Sequence, residues 1–171
     1  MRLRNILLVV LCVAAAMGYY LLGKALKPPP EANVIASFNQ NRAAYEQLRV
    51  MLLSEDKLVR VADWGVETTD SSIAEIPPQG AFSVGRFREY LSLLTAIKAK
   101  GAARIRGANP EACLLVWGSG FAGDTRHIEI CWVDKAPANQ TDSLDTFYKS
   151  PKPRQPAYKR IDGNWYIWAD W

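Results

Sequence analysis

The chain predicts an α+β fold: an N-terminal transmembrane helix, then a domain of two helices packed on a mostly antiparallel sheet. Three observations carry this expectation. An apolar run from Ile6 to Leu22 lies between Arg2 and Arg4 on one side and Lys24 and Lys27 on the other. Two later segments place apolar residues three or four apart, the helical period. Most of what remains alternates apolar and polar residues between turns rich in Gly, Asn and Asp.

The apolar run comes first. Asn5 to Leu22 as a helix would be roughly 27 Å long, close to the hydrocarbon thickness of about 30 Å. Tyr19 and Tyr20 would sit at one interface. Ala14 and Ala16 form an A-x-A match, so a cleaved export signal is the alternative. The residues behind it, Met17 to Leu22, are apolar and make a poor mature start, and Val10 and Leu11 are too bulky for a lipoprotein signal at Cys12. Residues 1–27 therefore read as an anchor contacting the membrane through residues 5–26. Residues 28–33, opened by three prolines, read as a stiff spacer. Residues 34–171 read as one globular domain. A short tail before a first apolar segment stays in the cytoplasm, which exports the chain behind it.

Within the domain, a first helix starts near Ser37, a capping residue, and carries Phe38, Tyr45, Leu48, Met51 and Leu52 on one face. Leu58 to Val66 reads as a single strand. Glu67 to Gly80 is polar, contains Pro77-Pro78 and reads as a loop. A second helix starts at Ser83, with Val84, Phe87, Tyr90, Leu91, Leu94 and Ile97 on its inner side, and ends toward Gly101. Ala103 to Arg106 is a short strand. Ala112–Trp117 and Arg126–Val133 form a hairpin over the glycine-rich link 118–124. A helical turn falls around Leu144 to Tyr148. Tyr158–Ile161 and Trp165–Trp171 form the last hairpin through Asp162-Gly163-Asn164.

Charge limits the functional classes. There are 21 basic and 17 acidic residues, and four of the basic ones flank the apolar run. The domain after Pro30 is thus formally neutral, with 17 of each sign, which argues against a nucleic-acid partner. His127 is the only histidine, which excludes the usual multi-histidine metal sites. No phosphate-cradling or nucleophile-elbow motif occurs, so no metal, cofactor or catalytic set is expected.

A hairpin centred on Ala122 pairs positions summing to 244, which sets Cys113 opposite Cys131 on one face. Outside the cytoplasm such a pair could oxidise, while a slip of one residue would separate the two. His127 shares the face of Cys131 but lies about 13 Å along the strand, too far for a shared metal, and reads as a hairpin surface residue.

The last strand is the best candidate for contact with a partner. Trp165, Ile167, Ala169 and Trp171 fall on one face, Tyr166 and Trp168 on the other. One face packs on the helices. Tyr166 and Trp168, with Arg154, Lys159 and Arg160 nearby, are the expected binding surface, for a protein partner or a glycan.

The ending Tyr158-Lys159-Arg160-Ile161-Asp162-Gly163-Asn164-Trp165-Tyr166 resembles the terminal hairpin of small, uncharacterised bacterial envelope proteins. Their domains also open with a helix similar to Phe38–Leu52. A similar hairpin occurs in cone-shaped α+β domains of the nuclear-transport-factor-2 type, whose helical opening this chain is expected to lack. The resemblance implies no catalytic residues. It favours a bacterial inner-membrane, single-pass protein with its C-terminal domain in the periplasm, or a secreted domain if the signal is cleaved. The expected role is binding an envelope protein, with inhibition of a toxin or envelope enzyme as one form. The alternatives are an envelope hydrolase using acids such as Asp63, Glu67 or Glu129, and a structural subunit of an envelope complex.

Overall fold

The computed structural model describes residues 10–13, 17–18, 27–75, 82–105, 111–121, 124–149 and 156–170. Helix α1 spans Glu31–Gln40 and α2 spans Arg42–Ser54. The spacer expected at 28–33 is therefore overturned in its second half: helix begins directly after Pro30. Glu31 favours the start from the first turn, where its charge complements the helix dipole. Its carboxylate also accepts from the Leu144 N–H at 2.7 Å, while its own N–H donates to Asp145 Oδ1 at 3.1 Å. Asn41 divides the two helices, and its Nδ2 donates to the Ser37 carbonyl at 2.9 Å, a local bond that competes with helix continuation. The single helix expected from Ser37 to Leu52 is thus two helices, divided at Asn41.

The sheet strands are β1 (Leu58–Ala62), β2 (Gly65–Thr68), β3 (Ser71–Glu75), β4 (Gly101–Ile105), β5 (Glu111–Phe121), β6 (Asp124–Val133), β7 (Ala157–Asp162) and β8 (Trp165–Asp170). They form one eight-stranded sheet in the order β3-β2-β1-β4-β5-β6-β8-β7, every neighbour antiparallel. The segment expected as one strand from Leu58 to Val66 is a hairpin, because the chain reverses at Asp63-Trp64 before Gly65, whose φ is 141°. The expected loop after it holds the end of β2 and all of β3, the strand at the sheet edge, where apolar alternation is not required.

Helix α3 (Val84–Ala96) starts as expected, with the Ser83 hydroxyl accepting from the Arg86 N–H at 3.1 Å. It stops before Gly101, at a turn where Ala99 N–H donates to Leu94 O and Lys98 N–H to Thr95 O. A four-residue helix α4 (Leu144–Phe147) is capped by Ser143. The helices cover one sheet face only. Phe38, Tyr45, Leu48, Leu52, Tyr90 and Leu94 pack there against Val61, Leu114, Ile128, Ile130, Trp165 and Ile167. The Trp165 indole N–H donates to Glu46 Oε1 at 2.8 Å, so this buried ring keeps its polar edge paired.

No helix among the described residues is long and apolar enough to cross a membrane. The expected anchor, with Tyr19 and Tyr20, falls mostly at positions 1–9, 14–16 and 19–26, outside the described residues.

Candidate binding face

Residues directly opposite in an antiparallel pair share a face, so the register lays out the side of the sheet away from the helices. Cys113, Cys131, Tyr166 and Arg160 form one row across β5, β6, β8 and β7. Leu115, Glu129, Trp168 and Tyr158 form the next. Gly118, His127 and Asp170 form a third. The register sum of 244 holds from Glu111 to Leu115, then becomes 245 from Trp117 to the hairpin tip. A bulge at Val116 absorbs the extra residue. The arithmetic that faces the cysteines is therefore right beside them and one residue off nearer the tip.

Cys113 and Cys131 are joined by a disulfide across this pair, with Cα atoms 4.1 Å apart. Together with Val133 and Tyr166 they form a second apolar cluster, separate from the helix-side core, against which Tyr158 and Trp168 are half-buried. No helix residue belongs to this cluster. The Tyr158 ring meets Tyr166 edge-on, centroids 6.2 Å apart.

Two carboxylates flank the disulfide. Glu111 Oε2 lies 3.7 Å from Cys113 Sγ and Glu129 Oε2 lies 3.9 Å from Cys131 Sγ. Burial first, then the negative charges of Glu111 and Asp170, push the Glu129 carboxyl up to about 7. Burial also raises Glu111, opposed by a hydrogen bond from the Tyr158 hydroxyl. Tyr158 is in turn pushed up to about 12, mainly by burial and then by the neighbouring Glu111 charge. Among the described residues, no lysine or arginine forms an ion pair with Glu111 or Glu129. Glu111 and the two sulfurs lie within 4.8 Å of one another. Bonded to each other, the sulfurs are not thiolates and cannot act as the usual metal ligands.

Beside Glu129 lies a cavity of about 260 Å³. Its floor is small: Ala62, Gly101 and Ala103 on β1 and β4. A Cβ at Gly101 would stand 3.1 Å from Ala62 Cβ and from Val61 O, so glycine lets these two strands approach. The walls are larger: Trp64 and Arg60 on one side, Leu115, His127 and Glu129 on the other. Arg60 is already engaged. It donates to both carboxylate oxygens of Glu67 at 2.7–3.1 Å and its guanidinium lies 5.1 Å from the Trp64 ring centroid. Lys100 Nζ donates to Gly118 O at 3.1 Å.

The structure brings together only part of the expected surface. Tyr166 is buried on the disulfide, and Trp168 stands half-buried opposite Glu129. Lys159 pairs with Ile167, a residue of the helix-side core, and its ammonium donates to the Asp142 carbonyl at 2.6 Å. It therefore belongs to the other face, because one strand alternates its side chains. Arg154 lies outside the described residues. Of the three candidate acids, Asp63 sits in the β1–β2 turn, Glu67 is held by Arg60, and Glu129 lines the cavity. His127 is more than a hairpin surface residue, because it lines the cavity too. Opposite it stands Gly118, which has no side chain to cover it. Sequence reasoning missed the cavity and Glu111. The available signals were the small run Gly101-Ala102-Ala103 and a glutamate two residues before each cysteine.

No protein-family model, curated protein or solved structure matches the chain.

Proposed function

We propose that the chain is a binding domain held at the bacterial inner membrane by residues 5–26 and exported, and that it takes an envelope protein on its open sheet face. The observation that carries the reading is that face. A cavity walled by Trp64, His127 and Glu129 adjoins half-buried Trp168, on the side of the sheet that no described helix packs against. Half-buried aromatic side chains beside charged groups suit recognition of another protein. The cross-strand disulfide suits an oxidising compartment. Inhibition of a toxin or envelope enzyme is one form this binding takes. The test is Trp168→Ala in the full chain: partner capture is expected to fall at least tenfold, with the fold intact by circular dichroism. Unchanged capture removes this face as the site.

A second reading, an envelope hydrolase, is favoured by one observation. A carboxyl held near 7 keeps its proton close to neutrality, as a general acid must. Glu129 would then protonate a leaving group in the cavity. On this reading Glu129→Gln lowers turnover of an ester, amide or glycoside substrate at least a hundredfold. A wild-type chain inert toward all three classes contradicts it.

A further inference from the structure

The geometry points to a basic side chain of the partner, a lysine ammonium or an arginine guanidinium, seated on the open face between Glu129, Glu111 and Trp168. This assignment rests on the binding reading and supplies the chemistry of the bound group.

The charge on the face is unbalanced where it is least hydrated. Glu111 on β5, Glu129 on β6 and Asp170 on β8 all project from the same side of the sheet. Among the described residues, three cations approach this side, Arg60 and Lys100 at the cavity and Arg160 on β7, and none of them forms an ion pair with Glu111, Glu129 or Asp170. Arg60 holds Glu67, Lys100 holds the Gly118 carbonyl, and Arg160 donates to the Gly163 carbonyl. His127 stands opposite Asp170. The Tyr158 hydroxyl serves Glu111 alone, as a neutral donor.

A half-buried carboxylate without a cation is costly, and nearby carboxylates add to the cost. Two states relieve it: a proton on Glu129, or a cation from outside. The surroundings suit the second. Trp168 stands directly across from Glu129, and an indole ring can hold a cation. The disulfide and Leu115 exclude water from the alkyl stem of a long basic side chain. An anionic group would meet the carboxylates of Glu111, Glu129 and Asp170, so the face discriminates by charge as well as shape.

Proton and cation compete for Glu129. Affinity for a basic group therefore rises as pH passes upward through about 7, where Glu129 ionises. His127 lines the same cavity, so its contribution has to be separated by substitution.

The experiment titrates the full chain in detergent micelles with end-blocked Gly-Gly-Arg-Gly-Gly, and with the glutamate counterpart, following the Trp168 indole signal by NMR. At pH 8 the arginine peptide is expected to give saturable shifts and the glutamate peptide none. Binding should weaken at least tenfold at pH 5.5, and likewise at pH 8 in Glu129→Gln. It should be unchanged in Lys159→Ala and keep its pH dependence in His127→Gln. Equal binding of the glutamate peptide, full affinity in Glu129→Gln, or no saturation by the arginine peptide would overturn the assignment. The broader reading fails separately. If Trp168→Ala abolishes partner capture while Glu129→Gln does not, the face binds, but not through a basic group. If neither substitution affects capture, the face is not the site.

Discussion

Glu129 is the residue on which chemistry and stability meet. Its carboxyl is raised from the ordinary 4.5 to about 7, mainly by burial. The sign follows from linkage: between these values the folded chain keeps a proton that the unfolded chain has lost. Stability therefore falls as pH rises from about 4.5 to about 7 and then levels off. A shift of this size corresponds to about 3 kcal/mol at most. Glu129→Gln is expected to match wild type at pH 4 and to be more stable at pH 8 by up to that amount, measured by urea unfolding across the range. Equal stability at pH 8 would mean that water or a cation already relieves the charge. The residue was legible in the sequence as one of three acids. What singled it out was not, because its burial depends on Leu115 and Trp168, brought beside it from other strands.

At the level of elements, hairpin β5–β6 shows how far sequence arithmetic reaches. Two apolar strands around a glycine-rich link are enough to place Cys113 opposite Cys131. Only the structure reveals that a bulge at Val116 reconciles this pairing with a tip whose register differs by one. Bulges depend on local packing and leave no fixed pattern in sequence. The disulfide closes a loop with a sequence separation of 18. Constraining such a loop in the unfolded chain is worth about 3 kcal/mol. Replacing both cysteines with alanine is expected to lower unfolding free energy by about that amount, and dithiothreitol should lower it comparably in the wild type while leaving the double variant unchanged. Polar edge strands were the hardest elements to read. The chain at 71–75 offers no apolar alternation, and it forms the edge strand β3, paired on one side only. Helix starts split by capping chemistry: Ser83 announced α3, whereas α1 begins at Glu31 through contacts with Leu144 and Asp145, more than a hundred residues away.

Across the whole molecule, the domain divides its work between two sheet faces. One is spent on the helices and holds the aromatic core around Phe38, Tyr45 and Trp165. The other keeps a disulfide, carboxylates without an ion pair among the described residues, and a cavity on a floor of small residues. Strand alternation made the two faces of β8 legible, but assigned Lys159 to the wrong neighbourhood because proximity in sequence was read as proximity on one face. The measurement that tests the binding role most directly is site-specific photo-crosslinking in intact cells. The probe is placed at Trp64, 39% exposed at the cavity, and separately at Val50, 55% exposed on α2. A discrete protein adduct from position 64, with none from position 50, is the expected result. Adducts from position 50 alone would place the partner on the helical side and contradict the assignment of the open face.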